Sequence, residues 1–114
     1  MIAVIYARYS SELQRAASID DQVRLCRARI EREGWQYLHA YTDRAASGAS
    51  PLRAGYQSLL EDARRGQFDI VVAEALDRLS RDQEDIAALF KRLRFAGVRL
   101  FTLSEGEKIG RAHV

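Results

Sequence analysis

Apolar residues recur along this chain with two alternating periods. Val4-Ile5-Tyr6-Ala7 is a short apolar run, and residues 1–7 read as a first strand, too apolar to face water on both sides. Residues 8–17 are polar and read as a loop. A helix is expected from Ser18, with Ser18 as its N-cap and Asp20 and Asp21 in the first turn. Ile19, Val23, Cys26 and Ile30 then share one helical face, and Gly34 is the expected stop. Residues 35–41 are rich in aromatic side chains and fit a second strand. Residues 42–50 form a loop of small residues around Ser47-Gly48. Ser50-Pro51 is a good N-cap and first-turn pair for a second helix. Its buried stripe is Leu52, Tyr56, Leu59, Leu60 and Ala63, and Gly66 ends it. Residues 68–75 are almost continuously apolar, as a strand buried on both faces should be. Residues 76–82 are a charged turn. A third helix carries Ile86, Leu89, Phe90 and Leu93 on one face, with Gly97 after it. Residues 98–103 read as a fourth strand, and the polar residues from Ser104 onward close the chain.

Strands that alternate with helices imply an α/β fold: three layers, α/β/α, around a mainly parallel central sheet. In such a sheet the strand-to-helix loops gather at the carboxyl edge, where ligands bind. Three loops meet there on this reading. The first carries Arg8, Ser10 and Ser11. The second carries Ser47 and Arg53. The third carries Asp77, Arg78, Ser80 and Arg81. A hydroxyl nucleophile among four arginines suits a phosphodiester. Guanidinium forks bind its non-bridging oxygens and stabilise the charge of a phosphorane-like transition state. The loops at residues 11–17 and 44–50 are expected to be mobile.

A length of 114 residues allows one compact domain with a real core. A net charge of +2 is too small to establish a nucleic-acid partner by itself. Arginine greatly outnumbers lysine, since Lys91 and Lys108 are the only lysines. That bias fits phosphate recognition and fits GC-rich codon usage equally well. Cys26 is the only cysteine, so an internal disulfide is impossible and a reducing compartment fits. No stretch reaches transmembrane length and no signal-peptide pattern opens the chain, so a cytoplasmic protein without membrane contact is expected.

Taken singly, Ser10 reads as a turn serine, and Arg78, Arg81 and Arg53 as solvated helix-cap residues. Convergence of the loops, and no one residue, points to chemistry. A Ser-His-Asp hydrolase does not fit, because there is no G-x-S-x-G elbow and the only histidines are His39 and His113. The ligand inventory for a metal is poor. No glycine-rich phosphate loop is present for a nucleotide.

Four segments, in register, match one family. Tyr6-Ala7-Arg8-Tyr9-Ser10-Ser11 resembles the Y-x-R-x-S nucleophile motif of the serine recombinases, the resolvase/invertase group. Ser18-Ile19-Asp20-Asp21-Gln22 is similar to that family's S-x-x-x-Q segment. Ser47-Gly48 with Arg53 is similar to its active-site loop. Asp77-Arg78-Leu79-Ser80-Arg81-Asp82 resembles its D-R-L-x-R-D motif. The tail, Thr102 to Glu107, resembles the close of the catalytic core in the large serine recombinases, although Lys108 adds a residue. Tyr9 stands where the family often has a small or β-branched residue.

The resemblance implies a resolvase-like catalytic domain over residues 1–114 that transfers DNA strands in site-specific recombination. Ser10 would attack the scissile phosphate and form a 5′-phosphoserine link. Arg8, Arg78 and Arg81 would bind the phosphate and stabilise the transition state. Asp77 would orient the arginines or take part in proton transfer. Gln22, Ser47 and Arg53 would support substrate contact or the order of the loop. No metal or other cofactor is implied, because the covalent link conserves the energy of the phosphodiester. The general base stays open, since arginine remains protonated in proteins. The implied partners are DNA and further copies of the full-length protein in homodimers and tetramers. In the family a dimerisation helix and DNA-binding domains follow, so the chain reads as truncated before them. The alternative reading is an inactive remnant or an interaction module.

Overall fold

The computed structural model describes residues 1–8, 16–43, 54–76, 79 and 83–108. The elements run β1 (Ile2–Arg8), α1 (Ala16–Glu33), β2 (Gln36–Asp43), α2 (Ala54–Arg64), β3 (Ile70–Ala73), α3 (Gln83–Ala96), β4 (Arg99–Thr102) and β5 (Gly106–Lys108). The sheet order is β2-β1-β3-β4-β5. The first four strands are mutually parallel, and β5 returns antiparallel to β4.

The apolar alternation of β1 explains the layering. Ala3 and Ile5 pack with Cys26 and Ile30 of α1, together with Ile70, Val72 and Phe101. Val4 and Tyr6 face the other way, onto Leu59 and Ala63 of α2 and Leu89 and Leu93 of α3. One helix thus covers one face and two helices cover the other, which is the three-layer α/β/α architecture expected. Val71, buried on the α2 and α3 side, and Val72, buried on the α1 side, make β3 a strand with no solvent face. Among the described residues no helix is long and apolar enough to cross a membrane.

Two local expectations are corrected. The α1 helix begins by Ala16, so Ser18 lies within it and is not its N-cap. Ala16-Ala17 extend the helix because alanine forms helix with the least entropic cost. The polar tail contains a strand: Thr102 turns the chain, its hydroxyl accepting from Glu105 N–H at 3.2 Å, and β5 pairs Thr102 with Gly106. The stops at Gly34, Gly66 and Gly97 are as expected, each glycine having positive φ. The Ser50-Pro51 cap and the two expected mobile loops lie outside the described residues, except that Ala16 and Ala17 of the first are helical.

An irregularity in β2 decides which side chains reach which layer. Ala3 pairs with Tyr37 but Val4 pairs with His39, so Leu38 is an extra residue, 47% exposed. A single inserted residue reverses the inside–outside alternation beyond it. Tyr37 therefore packs on the α1 side, while Tyr41 joins the core under α2.

Candidate functional site at the carboxyl edge of the sheet

All four parallel strands end at one edge. Their last residues are joined by register: Arg8 pairs with Asp43, Tyr6 with Ala73, and Ala73 with Thr102. The chain leaves the sheet at this edge after Arg8, after Asp43 and after Ala73. Of the residues singled out from the sequence, Arg8 and Gln22 are described. Ser10, Ser47, Arg53, Asp77, Arg78 and Arg81 lie outside the described residues.

Arg8 and Gln22 are brought together through the backbone. Gln22 Nε2 donates to the Arg8 carbonyl at 3.0 Å, and Gln22 Oε1 accepts from the Arg8 N–H at 3.2 Å. The β1–β3 ladder stops at Tyr6 and Ala73, two residues before Arg8. The Gln22 carboxamide supplies the donor and acceptor that β3 no longer offers there. Gln22 is 1% exposed, and a buried amide is tolerated because it is hydrogen-bonded. The helical face of Ile19 and Cys26 carries it inward, at three and four positions' spacing.

A second cluster was not singled out from the sequence. Asp43 closes β2 and accepts three hydrogen bonds. The Tyr6 hydroxyl donates to Oδ2 at 2.6 Å, Tyr56 N–H to Oδ2 at 2.9 Å and Gly55 N–H to Oδ1 at 2.8 Å. Gly55 and Tyr56 are in the first turn of α2, whose N–H groups have no partner within the helix. Asp43 is therefore that helix's cap, supplied from the preceding strand. Gly55 permits the approach, because a Cβ there would lie 2.5 Å from the Thr42 carbonyl oxygen. Tyr6 is fully buried, its ring edge-on to Tyr56 at 5.8 Å. A glycine at the second position of the helix was the one sequence signal for this contact.

Between β3 and α3, Leu79 is fully buried in the core under α2 and α3, and its N–H bonds the Leu76 carbonyl at 2.9 Å. An apolar anchor thus sits inside the segment that reads as a charged turn. Cys26 is fully buried beneath the sheet, and burial, with Glu74 nearby, pushes its thiol pKa up to about 12. It is a core residue, as expected.

The fold, with Arg8 at its carboxyl edge, defines the class: an open α/β domain whose carboxyl edge is framed by the ends of its parallel strands. Residues 3–113 match the family model described as Resolvase, N terminal domain. The chain belongs to that family. It is 38% identical over 74 residues to the transposon Tn501 resolvase of Pseudomonas aeruginosa, covering 65% of this chain and 38% of that protein. It is 39% identical over 83 residues to a putative DNA recombinase of Bacillus subtilis, covering 71% of this chain and 16% of that one. The crystal structure of the N-terminal catalytic domain of TP901-1 integrase superposes with a TM-score of 0.80 at 33% identity, covering 93% of this chain and 79% of that chain. The chain spans less than half the length of these two curated relatives.

Proposed function

We propose that this domain catalyses DNA strand transfer in site-specific recombination. The carrying observation is Arg8, held at the end of the interior strand β1 by both of its backbone groups, two residues before Ser10 in sequence. Holding a nucleophile and its phosphate in the reacting geometry lowers a barrier by proximity, which is what a fixed strand end so near in sequence would serve.

In this reading the Ser10 hydroxyl attacks the scissile phosphorus. A bond forms between Ser10 Oγ and phosphorus as the bond to the departing 3′ oxygen breaks, and the serine proton passes to solvent or a base while the 3′ oxygen gains one. Arg8, Arg78 and Arg81 hold the non-bridging oxygens, and Asp77 orients the guanidinium groups. Ser47 and Arg53 support substrate contact, and Gln22 acts through the Arg8 backbone. The phosphodiester energy is stored in the phosphoserine, so the chemistry asks for no metal or nucleotide. The partners are DNA and further copies of the recombinase, paired and then tetrameric, in the cytoplasm. Similarity to the B. subtilis recombinase, of which the matched stretch is 16%, favours the large type.

The test is adduct trapping with a protein of the relatives' length that carries this domain, on supercoiled DNA bearing its site. Denaturant-quenched reactions should hold protein covalently on DNA. Ser10→Ala should abolish the adduct and Ser11→Ala should leave some. An adduct that survives Ser10→Ala overturns the assignment. No adduct from any folded variant leaves the inactive interaction module as the better reading.

A further inference from the structure

We propose that the cleft between α2 and α3 docks an amphipathic helix of another protein, one whose apolar side is flanked by acidic residues. This docking goes beyond strand transfer and does not depend on it.

Phe95 marks the place. It stands in the last turn of α3 and is 96% exposed. Leu89 and Leu93 carry the core stripe of that helix, and a residue two positions after Leu93 points well away from it. A lone exposed aromatic is ordinary on a protein surface. This one borders a cleft of about 960 Å³, lined also by Leu60 and Ala63 of α2 and by Leu93 and Ala96 of α3. Ala63 and Ala96 put a single methyl group on each wall, so the space between the two helices stays open. The α2 wall runs from Tyr56 to Arg64, about 12 Å or roughly two helical turns. That length suits a helix that seats apolar anchors from successive turns in a groove.

The rim of the cleft is basic. Lys91 and Arg92 stand four and three positions before Phe95, on its side of α3, and both are exposed. Neither has an ion-pair partner among the described residues. Arg64 lines the α2 side, and the one carboxylate in the lining, Glu61, is already bridged to Arg64 and Arg65. An apolar floor calls for apolar side chains, and the unspent cations call for carboxylates beside them. A nucleic acid would answer the cations and leave the floor and Phe95 unused. A second copy of this chain, docked through a two-fold contact, would bring the same basic rim against itself. The site also stands clear of Arg8. Helix α3 leaves the carboxyl edge after β3 and ends where β4 begins, so Phe95 lies toward the opposite end of the sheet. A docked helix and DNA at the carboxyl edge can therefore be held together.

The probe is a labelled amphipathic helical peptide with leucines along one face and glutamates beside them. It is titrated with the 114-residue chain by fluorescence anisotropy, next to the same peptide carrying lysines for glutamates. The glutamate peptide should bind at least about tenfold more tightly than the lysine peptide. Phe95→Ala should weaken it by about 10- to 100-fold, as truncation of an aromatic anchor does, and should leave the thermal midpoint in place because the ring is almost wholly exposed. Lys91→Glu combined with Arg92→Glu should reverse the preference between the two peptides. Equal binding of the two peptides, binding of neither, or an unchanged affinity in Phe95→Ala overturns the proposal. A dimer of the free chain in sedimentation that Phe95→Ala dissolves would make a second copy the occupant and overturn it as well. So would binding of a short DNA duplex that the double charge reversal abolishes, which would make the rim a nucleic-acid surface. These readouts involve no strand transfer, so their failure leaves the role of Ser10 untouched.

Discussion

Gln22 holds Arg8 through main-chain atoms, accepting from its N–H at 3.2 Å and donating to its carbonyl at 3.0 Å. These two bonds use no side-chain atom of Arg8, and they tie helix α1 to strand β1 at the sheet's carboxyl edge.

Gln22→Glu should expose the need for both halves of that amide. A carboxylate can accept from the Arg8 N–H but sets a lone pair against the Arg8 carbonyl in a buried site. A loss of about 1–3 kcal/mol is expected near neutral pH. Protonation restores a donor, so the variant's folded-state carboxyl should titrate above its unfolded value. Its deficit against wild type should then shrink as pH falls through that folded value. Urea titrations of both proteins from mildly acidic to neutral pH check this, and a deficit that ignores pH would contradict it.

Arg8→Lys should separate chemistry from folding. The backbone clamp survives, so the thermal midpoint should move by less than about 5 °C. Adduct formation in the longer recombinase should fall by about 100- to 1,000-fold, since a point charge cannot replace a guanidinium fork on a phosphate. Near-normal cleavage would remove Arg8 from the phosphate site. The same assay in excess EDTA should proceed unchanged.

Gly55 and Gly34 are predicted to respond differently to substitution. Gly55 lacks positive φ but has the Thr42 carbonyl 2.5 Å from where a Cβ would stand. Gly34 has φ of 80° and nothing within 4 Å. Gly34→Asn should therefore be tolerated, since asparagine enters the left-handed region readily. Gly55→Ala should cost about 1–3 kcal/mol through overpacking. Denaturation midpoints of the two variants decide between steric and conformational causes.

Alkaline pH should unfold the domain in a way traceable to Cys26. Its thiol titrates at about 12 in the folded state against a reference of 9.0, mainly through burial. Above pH 9 the unfolded chain loses that proton while the folded one keeps it, so stability falls with rising pH, by about 1.4 kcal/mol per pH unit. Tyr41 is shifted upward as well, by burial and then by its hydrogen bond to Asp62 at 2.6 Å, and adds to the decline at higher pH. Cys26→Ala should flatten the curve just above pH 9, despite lower stability at neutral pH. Equal slopes for the two proteins would show that the thiol does not contribute.

The sequence by itself determined the alternation of strands and helices, the mainly parallel sheet, the helix stops and the core stripe of α1. These follow from local periods and from glycines whose conformations other residues resist. It also determined the family, because four motifs stand in register, and it marked Arg8 and Gln22. Only the tertiary structure decided how those two meet, since a glutamine replacing a missing strand depends on where the β1–β3 ladder stops. Strand β5 was illegible because three residues carry no period of their own and are held by pairing to β4. Asp43 was illegible for a sharper reason. One inserted residue at Leu38 sets the face it reaches, and its partners lie 37, 12 and 13 positions away along the chain. Register and long-range capping are properties of two segments in contact, and neither segment encodes them alone.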